Sequence, residues 1–203
     1  MSSTVDALLP LSFLEAVRSV DTPSDDFDAE FVDELRNKRL GLSETVYAQI
    51  QRYADAVKRN QRQVLDEAVG LARLIGRRPD AEAVFREAGR YLAREAYMTL
   101  SPVTRKLMRV LPGVIARPMA LRRARHIAAR YLNGGVRRVG TSLILEVPEP
   151  ITLDSAPSGK GCAFYEASLR ELVHLTTNTN GSVEHVRCAS RGEGGCVWKA
   201  DWR

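Results

Sequence analysis

Cysteines, long apolar runs and a secretory signal are scarce or absent in this 203-residue chain. The three cysteines are an odd number and too few for a disulfide framework, so we expect reduced thiols in a cytoplasmic protein. Clustered cysteines in that setting suggest a metal or catalysis more often than cross-links. No apolar run approaches the length of a membrane span, and the N-terminus lacks the basic start of a signal peptide. We therefore expect no transmembrane segment.

Acidic residues are missing from one long stretch. Residues 104–138 contain ten bases and no acid, whereas residues 1–35 contain nine acids and one base. A basic stretch of this kind could bind nucleic acid or an anionic membrane surface. It has no interleaved aromatics and no zinc-finger or helix-turn-helix spacing, so we expect no nucleic-acid partner. We expect instead a solvated helix face that pairs in part with the acidic N-terminus.

The rest of the composition is that of a globular protein, with 44% hydrophobic and 27% charged residues. Apolar residues recur at helical spacing over residues 43–75, which predicts one long helix or a closely linked pair. Further helical patterns cover residues 79–97 and 101–132, and we expect Pro112 and Pro118 to interrupt the second of these.

The pattern changes after Gly135. A strand is predicted up to Pro148, then a helix over residues 162–176, then a hairpin that ends near Trp202. This order predicts an α+β fold in which N-terminal helices pack on a small antiparallel sheet with a C-terminal helix and hairpin. Residues 1–41 are predicted to be an acidic N-terminal extension of this domain.

Two cysteines bracket a glycine-rich turn in the predicted hairpin. Cys188 and Cys196 lie at its inner ends, and paired strands are about 5 Å apart, so the two sulfurs can converge. Cys162 starts the preceding helix, and His185 lies three residues before Cys188. Three thiolates and one imidazole form a set that is typical of a closed, structural zinc site.

Other interpretations of these residues stay open. The cysteines could be three ordinary buried thiols, or Cys188 and Cys196 could form a disulfide. Residues 185 and 188 of a regular strand face opposite sides, so His185 joins Cys188 only through a bulge or at a frayed strand end. Glu184 has the same parity as Cys188 and is a competing fourth ligand.

The last sixty-odd residues resemble the 4-vinyl reductase domain family. The resemblance rests on a cysteine at the head of a helix and on a later cysteine, glycine turn, cysteine and aromatic, here Cys162, Cys188, Gly192, Cys196 and Trp198. The preceding basic helical segment resembles that of stand-alone members linked to bacteriochlorophyll synthesis. In the phenol-sensing members of transcriptional activators, three cysteines and one glutamate at such positions bind zinc. His185 stands at the position of that glutamate.

The resemblance implies a ligand-binding domain over residues 42–203, most family-like in residues 136–203, with structural zinc bound by Cys162, His185, Cys188 and Cys196. It implies a small hydrophobic ligand, such as a tetrapyrrole intermediate or a small aromatic, and a role as carrier, sensor or assembly factor. The residues expected to contact the ligand are Tyr97, Met108, Leu111, Tyr131, Phe164, Tyr165, Leu169 and Trp198.

Two other functions stay open. The chain could be an enzyme or enzyme subunit of tetrapyrrole vinyl reduction, or a homodimeric protein-interaction module. We favour binding over catalysis, because a metal with four protein ligands has no open position and no nicotinamide or flavin motif is present. A homodimer is expected because members of related families pair through helices.

Overall fold

A computed structural model describes residues 4–22, 40–110, 113–177 and 181–202. These residues form a mostly helical α+β fold, which confirms the predicted class. Its helices are α1 (Leu8–Asp21), α2 (Glu44–Lys58), α3 (Leu65–Gly76), α4 (Ala81–Met98), α5 (Pro102–Val110), α6 (Gly113–Tyr131) and α7 (Ala163–Thr177). Its strands are β1 (Thr4–Asp6), β2 (Arg62–Val64), β3 (Gly135–Val139), β4 (Ser142–Val147), β5 (Val183–Arg187) and β6 (Cys196–Asp201).

The strands form two antiparallel sheets. Strand β1 pairs with β2, and the other four follow the order β3-β4-β6-β5. In the second sheet β5 is therefore an edge strand and β6 is central. Helix α7 packs on β6 and β5 and joins this sheet to the helical part of the molecule through its contacts with α4.

The helical pattern over residues 43–75 forms a linked pair, α2 and α3, with β2 between them. The Ser43 side chain caps α2 by accepting a hydrogen bond from the Val46 amide at 3.3 Å. The expected interruption at Pro118 is wrong, because α6 continues through that residue. Pro118 is the sixth residue of α6, so the helix continues through it without one backbone hydrogen bond. Pro112 lies outside the described residues, in the interval between α5 and α6.

Helix α1 lies within the main core, although its residues belong to the segment predicted as an extension. The Phe13 side chain is fully buried. Its ring lies 6.1 Å from the ring of Phe85 on α4 and 5.3 Å from that of Phe164 on α7, measured between centroids. The same apolar cluster extends from α1 through α4 and α7 to the central strand β6. One core thus includes both ends of the described chain.

A charged cluster fixes the end of α1 against the start of α4. The Asp21 carboxylate is buried and accepts hydrogen bonds from Arg78 Nη2 at 2.6 Å and Arg78 Nη1 at 3.0 Å. The same guanidinium donates to Asp80 at 2.8 Å. The amide of Gly41 donates to Asp21 at 2.8 Å. The carboxylate thus receives donors from two separate parts of the chain.

The basic stretch pairs with N-terminal acids at one point in the described part of the chain. Arg130 Nε on α6 lies 2.8 Å from Asp6 Oδ2 at the end of β1. Arg137 pairs locally with Glu146 across the β3–β4 hairpin, at 2.9 Å. Within residues 4–22, 40–110, 113–177 and 181–202, no helix combines the length and the apolar character needed to cross a membrane.

Candidate metal centre

Four potential metal ligands converge where the second sheet meets the start of α7. Cys162 ends a short 3-10 turn that leads into α7, His185 lies on β5, Cys188 follows β5 directly, and Cys196 is the first residue of β6. Their ligand atoms all lie within 4.8 Å of one another. We call these four residues the cysteine–histidine cluster. They are close enough together to hold one metal ion.

A β-bulge brings His185 and Cys188 to the same side of the sheet. Strand β5 pairs regularly with β6 from Val183 to His185, where His185 opposes Trp198. The register then shifts, so that Arg187 opposes Val197 and one extra residue lies on β5. After the shift, the side chains of β5 alternate in the opposite sense. His185 and Cys188, which would face opposite sides of a regular strand, therefore face the same side.

The same register explains the position of Glu184. This residue opposes Lys199 and its side chain is exposed, because alternate residues of a strand face opposite sides of the sheet. Among the described residues, the group that is close enough to share one metal ion contains His185 and does not contain Glu184.

The sulfur atoms have the spacing of ligands on one ion. Cys162 Sγ and Cys188 Sγ are 3.8 Å apart, and all three cysteines are free. Two sulfurs that are each about 2.3 Å from one tetrahedral zinc ion are separated by about 3.8 Å. The geometry therefore suits thiolates that share a metal, and it does not pair Cys188 with Cys196 in the alternative disulfide.

Nearby polar groups contact the sulfurs. The Ala189 amide donates to Cys196 Sγ at 3.2 Å, and Ser190 Oγ lies 2.9 Å from Cys188 Sγ. The Cys188 amide donates to the Glu193 carboxylate at 2.9 Å, which ties down the turn between the strands. Groups of this kind orient metal ligands and stabilise thiolates. Sequence reasoning missed Ser190 and Glu193, whose only signal was their position between two cysteines.

The imidazole of His185 is held flat against an aromatic ring. It stacks on Trp198 with ring centroids 4.6 Å apart and an interplanar angle of 7°. Its Nε2 atom is buried and has no hydrogen-bond partner among the described residues. Burial lowers the pKa of His185, against a smaller opposing effect of a hydrogen bond with the Arg187 backbone. The neutral ring is the form that binds metals.

The three thiols perturb one another. Burial raises the pKa of Cys162, and the neighbouring Cys196 and Cys188 raise it further. Burial also raises the pKa of Cys196. At Cys188 burial acts in the same direction but is outweighed by hydrogen bonds with Ser190, so its pKa is lowered. Without a cation the three sulfurs cannot easily ionise together, whereas a coordinated divalent metal deprotonates its thiols.

Gly159 lies beside the cluster. Its φ of +71° is in the left-handed region, and a Cβ atom there would lie 4.0 Å from the sulfurs of Cys162 and Cys188. That distance is an ordinary contact, so it is the left-handed backbone rather than lack of space that favours glycine here. No sequence motif marks this residue.

The predicted ligand-contacting residues fall into two groups. Phe164, Tyr165 and Trp198 are buried and contact one another, with ring centroids 5.0 Å apart for the first pair and 5.1 Å for the second. Tyr97, Met108 and Leu169 are also buried in the apolar core. Leu111 lies outside the described residues. Tyr131 is buried as well, but it also lines a cavity.

A cavity of about 270 Å³ lies beside Tyr131, where β1, β2, α3 and α6 meet the loop after β4. Arg62, Arg73 and Arg130 line it together with apolar side chains that include Ile151. Its wall also carries the carboxylates of Glu149 and Asp154. A second cavity of about 350 Å³ shares Arg130 and Tyr131 with the first. The guanidinium of Arg130 lies 5.1 Å from the centre of the Tyr131 ring.

Comparisons of the chain with family models, with curated proteins and with solved structures gave no match. The resemblance to 4-vinyl reductase domains therefore stays a prediction. The chemistry of the cysteine–histidine cluster and of the cavity beside Tyr131 carries the functional argument.

Proposed function

We propose that this chain is a cytoplasmic small-molecule-binding protein of the 4-vinyl reductase type, whose C-terminal helix and hairpin are braced by one structural zinc ion. The observation that carries the proposal is the convergence of three thiols and one imidazole within 4.8 Å. Soft sulfur ligands select zinc over magnesium or calcium. Four protein ligands leave no coordination position for a substrate, so the role of the metal is structural.

The first strand of the hairpin and its turn need such a brace, because they are poorly buried, whereas β6 is central in the sheet. Cys188 is the only buried residue between Val183 and Gly195. Burial of apolar surface is the main stabilising effect in most folds, and this segment contributes almost none of it. A metal held by Cys162 on one side and by the hairpin residues on the other replaces that missing contribution.

The proposed ligand site is the cavity beside Tyr131. Its apolar side chains suit a hydrophobic body, and Arg73 suits a carboxylate, because a guanidinium matches a carboxylate with two parallel hydrogen bonds. The other two arginines that line it already bond within the protein, Arg62 with Thr4 and Arg130 with Asp6. Its volume of about 270 Å³ is near the lower limit of drug-sized pockets, which start at about 300 Å³. A small aromatic acid, or one edge of a tetrapyrrole, fits this size class. The proposed role is that of a carrier or sensor.

The zinc proposal is tested by native mass spectrometry of untagged protein purified without chelator. We expect a mass excess of one zinc ion per chain, which disappears in the variant His185→Gln and persists in Glu184→Gln. These adjacent substitutions are matched, since both introduce glutamine on β5. Equal native and metal-free masses for the unaltered protein would overturn the proposal. Loss of zinc only in Glu184→Gln would identify Glu184, not His185, as the fourth ligand.

The ligand proposal is tested on the same sample. Any further mass excess reports a co-purified molecule, and its mass separates a tetrapyrrole from a small aromatic. We expect Arg73→Gln to lower the occupancy of that molecule about tenfold, since it removes one charge-assisted contact. Arg77→Gln, an exposed neighbour outside the cavity, is the control and should leave occupancy unchanged. Equal occupancy in both variants would place the ligand elsewhere.

One observation favours a second function, that of a homodimeric interaction module. The rings of Phe164, Tyr165 and Trp198 fill the region next to the cysteine–histidine cluster by contacting one another. Because these rings leave no room for a small molecule between them, this part of the domain can serve as a rigid support for an interaction surface. Light scattering of the zinc-loaded protein distinguishes the two functions: a stable dimer without any bound molecule supports the interaction module.

A further inference from the structure

Helix α5 presents an apolar face to solvent. Val103 is 73% exposed, Leu107 41% and Val110 72%. Their spacing of four and then three residues places them on one side of the helix. Met108, by contrast, is buried and anchors the helix to the core. We call Val103, Leu107 and Val110 the α5 patch.

Exposed large apolar side chains concentrate around this patch. Five of the eleven in the described residues belong to residues 98–115: the α5 patch itself, Met98 at the end of α4 and Ile115 near the start of α6. The other six are scattered over the rest of the chain. Single exposed apolar residues are common in proteins and need no explanation, but a concentration of them marks a surface that contacts something apolar.

The same part of the chain carries unneutralised positive charge. Lys106 lies on α5, and Arg117, Arg122 and Arg123 lie on α6. All four are exposed and have no acidic partner in the part of the chain that the structure describes. Residues 104–138 contain no acid that could neutralise them locally. Further along the same stretch, Arg130 is paired with Asp6 and Arg137 with Glu146.

We propose that the α5 patch and these cations dock the protein on an anionic phospholipid surface. Aliphatic side chains that enter the boundary of the acyl chains, beside cations that meet acidic headgroups, are the features of a helix that lies on a membrane. This proposal goes beyond the proposed zinc and ligand sites and does not depend on either.

Charge and side-chain chemistry favour this occupant over two others. A symmetric dimer through the α5 patch would bring the same cations of two copies together, and their repulsion opposes it. Single-stranded nucleic acid is bound by stacking its bases on aromatic side chains, whereas the α5 patch is aliphatic. An anionic lipid surface satisfies both the aliphatic side chains and the positive charge.

The test is co-sedimentation of the full chain with vesicles of equal parts phosphatidylcholine and phosphatidylglycerol, beside vesicles of phosphatidylcholine alone. We expect binding to the first kind only, weakened about tenfold by raised salt because surface charges are screened. The double variant Val103→Ser with Val110→Ser and the single variant Lys106→Glu should each bind at least about tenfold more weakly. The matched control is Val64→Ser with Val139→Ser, two exposed valines outside the patch, which should bind like the unaltered protein.

Three results would overturn the proposal. One is equal vesicle binding by the serine variant and its matched control, with both folded by circular dichroism. Another is a concentration-dependent dimer that the serine variant abolishes, which would assign the face to a second copy of the chain. The third is tighter binding to a short DNA than to the anionic vesicles, lost in Lys106→Glu but retained in the serine variant.

Discussion

The first helix and the C-terminal hairpin are held in place by different means. Helix α1 buries ten of its fourteen residues, whereas β5 buries none of its five. Apolar burial is thus sufficient to fix α1 in the core, and it cannot fix β5 at the edge of the sheet. The hairpin instead contributes three of the four members of the cysteine–histidine cluster. The comparison indicates that the potential metal ligands lie where the apolar core meets a poorly buried strand and turn.

The contrast predicts that the two regions lose stability separately. Removal of the metal should loosen the hairpin and spare the helices. Removal of a core side chain from α1 should destabilise the whole domain, because one apolar cluster runs through α1, α4 and α7.

Removal of the metal should have the largest effect, confined to one region. With a strong chelator, we expect amide hydrogen exchange over residues 183–195 to accelerate about a thousandfold, because the binding free energy of a structural metal stabilises the segment that holds it. Exchange in α1 and α4 should stay nearly constant. The variant Cys196→Ser should reproduce this pattern without chelator. Uniform acceleration of amide exchange across the chain would show that the hairpin and the helices are not stabilised separately.

Truncation of the central ring should act globally. We expect Phe13→Ala to lower the free energy of unfolding by about 4 kcal/mol, because it opens a cavity among Phe85, Phe164 and their neighbours. Urea denaturation of the zinc-loaded protein measures this loss. Tyr47→Ala, an aromatic truncation at an exposed position, is the control and should change the value by about 0.5 kcal/mol or less. Loss of zinc from Phe13→Ala would show that the two regions are coupled.

The charged cluster at the end of α1 should have a smaller effect. We expect Arg78→Met to cost about 3 kcal/mol, because it removes two hydrogen bonds from the buried Asp21 carboxylate. Arg77→Met, the exposed neighbour, should be nearly neutral. Thermal melting of the two variants at neutral pH measures the difference, and equal melting temperatures would contradict this assignment.

The smallest effect is the pH dependence of the other contact in this charged cluster, between Arg78 and Asp80. The hydrogen bond from Arg78 holds the pKa of Asp80 below its ordinary value of 3.8. A carboxyl with a lowered pKa stabilises the folded state above its ordinary pKa, and this contribution is lost as the pH falls through the lowered value. The stability difference between the unaltered protein and Arg78→Met should therefore narrow below pH 3.8. A stability difference that widens as the pH falls would contradict a lowered pKa of Asp80.

The sequence by itself determined the α+β class, the order of most elements and the chemical types in the cysteine–histidine cluster. These features are local: periodicity specifies helix or strand, and Cys162, His185, Cys188 and Cys196 lie within 35 residues of one another. The exposed basic side chains of α6 likewise follow from a run of bases without acids.

Only the tertiary structure decided the features that depend on distant contacts. The choice of His185 over Glu184 follows from one extra residue in the pairing of β5 with β6, and nothing in β5 alone specifies that register. The central position of α1 follows from its contacts with α4 and α7, which lie far away along the chain. Periodicity shows which residues can be buried, but their partners are selected by packing energies summed over the whole fold, and these are not encoded in any short segment.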